Sequence, residues 1–341
     1  MAKTDIIELL TDYFHREKIH DVVILTDRNV DQHYPDYFSG LLEHVRLDKL
    51  VISPGEKTKS IQTATDIWDY FAKKQYDRSI FLLNFGGGMV TDLGGYVASS
   101  YKRGIRYANC PTTLLAMIDA AIGGKNGVNL PCMKNAVGTF YFSDIQLPVD
   151  LSLLSTLPEE EFLSGFGEFV KYALIGSFDL FQSLLNREAF PSLTQEEVNF
   201  CIDYKTRIVQ EDPFDRGPRH ILNFGHTIGH AVEGWCASQG SPMAHGIAVA
   251  NGLYYESLLS MRFGQLPKEE LQQIVDLLPK HFQILKITPS IFEQLLPYLQ
   301  NDKKNCNGNI NFTFLEHIGN AIPDHAIPAN ELSTFFDYIT V

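Results

Sequence analysis

Cysteine is scarce in this chain and basic charge is in deficit. The five cysteines in 341 residues (Cys110, Cys132, Cys201, Cys236 and Cys306) are scattered, odd in number and without a CxxC pair. That argues against a disulfide framework and for reduced thiols in a cytosolic protein. None has neighbours that mark a nucleophile, so all five read as packing residues. Lys and Arg number 28 against 41 Asp and Glu, a formal charge of −13, which argues against a general nucleic-acid partner. An anionic substrate also looks disfavoured, unless a few cations are gathered locally in a cleft. No apolar run approaches the roughly twenty residues that span a bilayer, so no membrane partner is expected. The N-terminus, Met1-Ala2-Lys3-Thr4-Asp5, passes quickly into a charged amphipathic segment and does not read as a signal peptide. What is present is ordinary for a soluble globular protein: 45% apolar residues, 20% charged, and enough length for two domains.

The first half alternates strand and helix. Asp21–Thr26, Leu50–Ile52 and Ser79–Asn84 read as short buried strands, Ser60–Lys74 and the stretch from Gly88 to Tyr101 as helices. That alternation predicts a parallel α/β sheet. From about Leu157 long helical segments follow: Glu159–Ile175, Thr194–Glu211, Asn223–Cys236, Gly246–Arg262 and Lys268–Leu278, with only Asn309–Leu315 alternating like a strand. A boundary is expected near residues 150–157, where Pro148 and Pro158 flank a short connection, giving domains 1–155 and 156–341.

The most informative stretch is Leu222-Asn223-Phe224-Gly225-His226-Thr227-Ile228-Gly229-His230. A helix there puts His226 and His230 on one face. Further candidate ligands are Glu168, in Gly165-Phe166-Gly167-Glu168, and His245, in Ala244-His245-Gly246. One Glu and two His make an open catalytic site for a divalent metal. A lone HxxxH pair is more often unrelated to metal, so the flanking residues matter. Asn223, one turn before His226, is expected to share its face.

Gly86-Gly87-Gly88-Met89-Val90-Thr91-Asp92 lies between a strand and a helix, where glycines let backbone approach a phosphate at a helix N-terminus. The spacing is not GxGxxG, and a tight βα turn is an equal reading. Ser53–Lys59 alone reads as a turn. Asp27-Arg28-Asn29 ends the first strand, where a carboxylate either bonds ribose hydroxyls or, more plainly, caps a helix. Lys125 and Lys134, nine residues apart and each followed by Asn (Asn126, Asn135), sit near paired glycines and suit an oxyanion. Lys171, Lys205, Arg219, Lys303 and Lys304 add cations around the proposed ligands.

In order along the chain come Asp92-Leu93-Gly94-Gly95, Tyr101-Lys102-Arg103-Gly104, Pro111-Thr112-Thr113-Leu114-Leu115-Ala116, Gly123-Gly124-Lys125 and Leu222–His230. Together they closely resemble 3-dehydroquinate synthase, of the sugar-phosphate cyclase superfamily, from about Thr26 to Gly319. The resemblance implies a Rossmann-like NAD-binding α/β domain followed by a mostly helical metal- and substrate-binding domain. It implies Glu168, His226 and His245 as zinc or cobalt ligands. The NAD site would be lined by Asp27, Asn29, Glu56, Lys59, the turn residues Gly87, Gly88, Met89, Val90, Thr91 and Asp92, and Thr112, Thr113, Lys125, Lys134 and Thr156. Around the substrate would stand Asp119, Lys125, Asn135, Lys171, Lys205, Arg219, Asn223, His230 and Lys304. Arg103 would reach a neighbouring subunit's site, which implies a homodimer. The implied reaction turns 3-deoxy-D-arabino-heptulosonate 7-phosphate into 3-dehydroquinate and phosphate, with His230 as the candidate proton relay.

The chain departs from the family pattern in places. It starts at a helical segment, Asp5–His15, where the family usually has a strand or hairpin first. Ile247 stands where Glu is common, which removes a hydrogen bond behind the ligands. Leu130 and Met133 replace a usual His and Gly, and Asp212-Pro213-Phe214 a more acidic run. Three alternatives stay open: a sister cyclase for another sugar phosphate, a metal-dependent polyol dehydrogenase, and a silent NAD-binding protein. Lys125 and Arg219 favour a phosphorylated, carboxylated substrate.

Overall fold

A computed structural model describes residues 2–130, 133–187, 192–300 and 309–338. Lys303, Lys304, Cys132 and Cys306 lie outside the described residues. The chain divides into two compact units, Met1–Pro158 and Glu159–Val341.

The first unit runs α1 (Ala2–Glu17), β1 (Asp21–Asp27), α2 (Arg28–His33), β2 (Arg46–Ile52), α3 (Ile61–Lys73), β3 (Phe81–Gly86), α4 (Gly88–Ser100), β4 (Arg106–Pro111), β5 (Lys125–Leu130) and β6 (Met133–Phe140). Strands β2-β1-β3-β4 form one parallel sheet in that order. The apolar run Val22–Leu25 and all of β3 are buried, as strands covered on both faces must be. β2 begins four residues before the expected Leu50, because an edge strand keeps charges such as Arg46 and Lys49 on its exposed positions. Val23, Leu25 and Leu82 meet Ile67, Phe71, Leu93 and Val97 from α3 and α4 in one core.

Register decides where the loops emerge. Asp27 pairs with Ile52, Thr26 with Phe85 and Gly86 with Pro111. The C-terminal ends of all four strands therefore share one edge. The strand order reverses between β1 and β3, the position where open α/β sheets hold ligands. Lys125–Phe140, read from sequence as a glycine loop with lysines, is instead the antiparallel β5–β6 hairpin, with a register shift between Val128 and Leu130.

The second unit runs α5 (Glu159–Gly176), α6 (Phe178–Leu185), α7 (Gln195–Glu211), α8 (His226–Ser238), α9 (His245–Phe263), α10 (Lys268–His281), α11 (Pro289–Gln300), β7 (Asn309–His317), β8 (Asn320–Pro328) and α12 (Ala329–Tyr338). Thr194 and Glu197 form a capping box that starts α7 where expected. β8 was hidden from the sequence by Pro323 and Pro328; it pairs antiparallel with β7 through a turn at Gly319, φ 93°. The helix expected from Asn223 is corrected. Pro218–Asn223 is a 3-10 turn, Gly225 takes φ 80°, and α8 starts only at His226. Asn223 therefore does not share the α8 face. Among the described residues no helix is long and apolar enough to cross a membrane.

Candidate metal centre and substrate cradle

Three helices bring the expected ligands together by touching backbone to backbone. A Cβ on Gly246 of α9 would lie 1.7 Å from the Ser164 carbonyl oxygen of α5, and one on Gly252 would lie 1.8 Å from the Gly225 oxygen that precedes α8. Only glycine permits those crossings. Glu168 rides on α5 one residue past Gly167, His226 opens α8, and His245 opens α9.

Their side chains converge. Nε2 of His226 is 3.5 Å and Nε2 of His245 is 3.3 Å from the same Oε1 of Glu168. Each imidazole is held from behind through Nδ1: His226 against the Phe224 carbonyl at 3.2 Å, His245 against Glu233 Oε2 at 3.0 Å. Those contacts place a proton on Nδ1 and turn Nε2, the nitrogen that would meet a metal, toward Glu168. Glu168 is fully buried, and among the described residues neither of its oxygens accepts a hydrogen bond of good geometry. Charge holds it instead, with Lys171 Nζ 2.5 Å from Oε2. A fully buried carboxylate held by one ammonium on Oε2, with Oε1 facing two oriented imidazoles, fits a divalent cation.

The titration behaviour agrees. Burial opposes ionisation of Glu168, but Lys171 and then the two histidines outweigh it and hold the carboxyl well below the usual range. Burial pushes His226 well below its ordinary value, reinforced by Lys171, so that imidazole is neutral. Burial also pulls His245 down, but contacts with Glu168 and Glu233 win and raise it to about 9. Two anions thus bracket His245 and call for positive charge there.

His230 belongs to the same cluster. Its ring lies 5.3 Å from that of His226 and 5.7 Å from that of His245. Ligating atoms of the three histidines all lie within 4.8 Å of one another, so geometry alone also allows an all-histidine set. His230 is the exposed member while Glu168 is fully buried, which sets His230 on the open side and Glu168 beneath the imidazoles.

Among its described residues the second unit buries three cations, of which Lys171 touches Glu168. Lys171, Lys205 and Arg219 are all buried, at 1%, 7% and 2% exposure. Lys205 is on α7, which packs on both α5 and the 3-10 turn that carries Arg219 and Asn223. Asp212 shapes that turn by accepting the backbone N–H groups of Arg216, Gly217 and Arg219. Lys304 lies outside the described residues.

In the first unit the glycine turn stands at the C-terminal end of β3. Gly87 caps α4 without a side chain to bond the N–H groups of its first turn. A Cβ on Gly87 would lie 2.9 Å from Thr113 Cγ2, and Thr112 N–H donates to the Gly86 carbonyl at 3.0 Å. Thr112 and Thr113 are therefore beside the turn. Met89, Val90 and Thr91 form the first turn of α4, with Val90 and Thr91 buried. Asp92 takes Lys59 Nζ at 2.5 Å, and Glu56 Oε1 accepts from Asn129 at 2.7 Å. Asp27 Oδ1 accepts the N–H groups of Asn29 and Val30, the plainer of its two readings. Thr156 Oγ1 is 2.9 Å from the Tyr34 hydroxyl. Asp119 sits in a π-helical turn, Ala116–Ala120, and Ala120 Cβ comes within 3.2 Å of where a Gly88 Cβ would be. Lys125, Lys134 and Asn135 are exposed on the β5–β6 hairpin, Asn135 at φ 50°. Arg103 is exposed on a left-handed turn, with Lys102 at φ 48° and Arg103 at φ 66°.

The sequence reading missed three polar residues. Glu233 lies two turns past His226 on α8, so its spacing from both histidines was a usable signal. Asn129 joins the hairpin to Glu56 and also accepts the Asn135 N–H at 2.8 Å. Glu256 is fully buried on α9, with nothing in the local sequence to mark it.

Comparison with known proteins gives a consistent result. The family model for the 3-dehydroquinate synthase N-terminal region matches residues 49–164, and that for the C-terminal region residues 165–305. A 3-dehydroquinate synthase of Alkaliphilus metalliredigens is 36% identical over 94% of this chain and 90% of its own. The crystal structure of a 2-deoxy-scyllo-inosose synthase with carbaglucose-6-phosphate, NAD+ and Co2+ superposes with TM-score 0.81 at 25% identity, covering 97% of this chain and 94% of that one. The 2-epi-5-epi-valiolone synthase of Streptomyces hygroscopicus subsp. jinggangensis, with NAD+ and Zn2+, gives TM-score 0.80 at 26% identity, covering 93% and 90%.

Proposed function

Given that this chain belongs to the 3-dehydroquinate synthase family, we propose that it converts 3-deoxy-D-arabino-heptulosonate 7-phosphate to 3-dehydroquinate and phosphate. The observation that carries the reading is the pair of Nε2 atoms turned on one oxygen of buried Glu168. Glu168, His226 and His245 hold zinc or cobalt; the loops at the C-terminal edge of the parallel sheet, from Asp27, Glu56–Lys59, Gly87–Asp92 and Thr112–Thr113, hold NAD. When bound, NAD supplies a hydride acceptor and donor, and the metal supplies a Lewis acid for the alcohol being oxidised.

The residues of the chain do the rest. Once the substrate alcohol is a ketone, the neighbouring C–H is acidified and phosphate leaves by elimination. Lys171, Lys205 and Arg219 of the second unit bind anionic groups of the substrate and spread the enolate-like charge; Lys125 and Asn135 are the anion-binding candidates of the first. His230, exposed beside the centre, moves the proton of the alcohol. Asp119, Asn223 and Lys304 complete the substrate set, Asn29, Lys134 and Thr156 the NAD site, and reduction, ring opening and aldol closure follow. Arg103, presented on its left-handed turn, serves a neighbouring copy in a homodimer; exposed Leu130, Met133, Val137 and Phe140 on the hairpin support such a contact. Buried free thiols at Cys110, Cys201 and Cys236 support a cytoplasmic location.

The test is phosphate release by purified protein with NAD and zinc. Release from the heptulosonate phosphate is expected. Release only from glucose 6-phosphate or sedoheptulose 7-phosphate would reassign the substrate, and none from any of them would end the enzymatic reading.

A further inference from the structure

Helices α8 and α9 exchange carboxylates. Glu233 of α8 reaches His245 at the start of α9, with Oε2 3.0 Å from Nδ1. Glu256 of α9 reaches the start of α8. Its Oε2 accepts the Gly225 N–H at 2.7 Å and its Oε1 the Ile228 N–H at 2.9 Å. Glu256 is completely buried, a costly place for a carboxylate without strong donors.

The reason for Glu256 lies in the residue it serves. The first turn of a helix has N–H groups without partners, usually met by Ser, Thr, Asp or Asn at the cap. Here the cap is Gly225, which has no side chain to offer. Its φ of 80°, and Leu253 Cδ2 2.6 Å from where a Cβ would stand, leave room for nothing else. The carboxylate must come from the opposite helix, and there it also meets the positive end of the α8 dipole. His226 follows Gly225 directly, so holding this turn holds His226. Glu233 does the parallel task for His245, in a chain with Ile247 where the family pattern commonly has Glu.

We propose that Glu233 and Glu256 form a crossed pair of positioning residues, Glu233 fixing the tautomer and ring plane of His245 and Glu256 fixing the helix turn that carries His226, so that both Nε2 atoms face Glu168 before metal arrives. This rests on the metal centre proposed above. Neither residue is assigned contact with substrate or cofactor.

The experiment measures zinc affinity by chelator competition, and the visible absorption of the cobalt-loaded protein, in wild type, Glu233→Leu, Glu233→Gln and Glu256→Gln. Glu233→Leu removes the acceptor behind His245 and is expected to weaken zinc about 10- to 100-fold and to alter the cobalt spectrum. Glu233→Gln keeps an acceptor oxygen and is expected to recover most of that loss. Equal weakness in both variants would overturn orientation as the cause, as would no weakening in either. Glu256→Gln faces one N–H with a donor and is expected to weaken zinc and change the cobalt spectrum. If that variant does not fold, amide exchange at Gly225 and Ile228 in zinc-free wild type decides: protection supports the pair, unprotected exchange overturns it. Wild-type protein that binds no zinc would remove the metal centre itself. Wild type that binds zinc, with variants indistinguishable from it, would overturn only the carboxylate pair.

Discussion

Arg219 is buried to 2% exposure, and burial lowers the pKa of its guanidinium. It is anchored by Nη1 on the Pro213 carbonyl at 3.0 Å. A cation placed at this desolvation cost suits a buried anion such as a substrate carboxylate. Arg219→Ala should weaken binding of the heptulosonate phosphate by about 2–5 kcal/mol. Steady-state kinetics with unchanged KM and kcat would remove Arg219 from the site. A second residue gives a pH prediction. Asp48 accepts from Tyr76 at 2.6 Å, Lys74 at 3.0 Å and Tyr70 at 3.0 Å, and these bonds hold its carboxyl below the usual value of 3.8. A depressed folded pKa gives stability that is present above the unfolded value and lost as pH falls through the folded one. Asp48→Asn should therefore cost about 1–2 kcal/mol at neutral pH in urea unfolding, with the difference from wild type shrinking below about pH 4. At this scale the sequence was informative wherever a residue type is rare in its role. The convergence of Glu168 with His226 and His245 was foreseeable from their residue types, whereas Glu256 was not, because a carboxylate capping a distant helix leaves no local pattern.

Elements carry a different lesson. The parallel strands and long helices were legible because their apolar periodicity is set by burial on two faces or one stripe. The α8 boundary was not. Apolar spacing runs smoothly from Leu222 into the helix, while the backbone departs from it at Phe224, ψ 127°, and Gly225, φ 80°. The β5–β6 hairpin was read as a loop because its glycines, Gly127 and Gly138, sit where the two strands approach too closely for side chains. The same closeness governs the α8–α9 crossing. Gly252→Ala would drive a methyl group into the Gly225 oxygen, and backbone there has no way to yield. Thermal unfolding should show a loss of about 1–3 kcal/mol, with zinc retention impaired. A fully stable variant with normal zinc content would show that the helices are free to move apart.

At the level of the whole molecule, metal should act as a ligand of the folded state. A thousandfold excess over the dissociation constant adds about 4 kcal/mol. Chelation should therefore lower the melting temperature, and zinc should restore it; identical melting curves would show that no metal contributes to stability. The passage from alternating strands and helices to mostly helices was readable from the change of pattern at about Leu157. The reversal of strand order was not, because register depends on pairings that sequence spacing does not state.

The glycine crossings have one more consequence. Where helices cross main chain against main chain, their separation is set by atoms that cannot rotate, and the cage they frame adapts little to its guest. Ions of similar radius and coordination taste should then trade places without any rearrangement of the helices, and a crystal soaked from zinc into cobalt should keep its lattice.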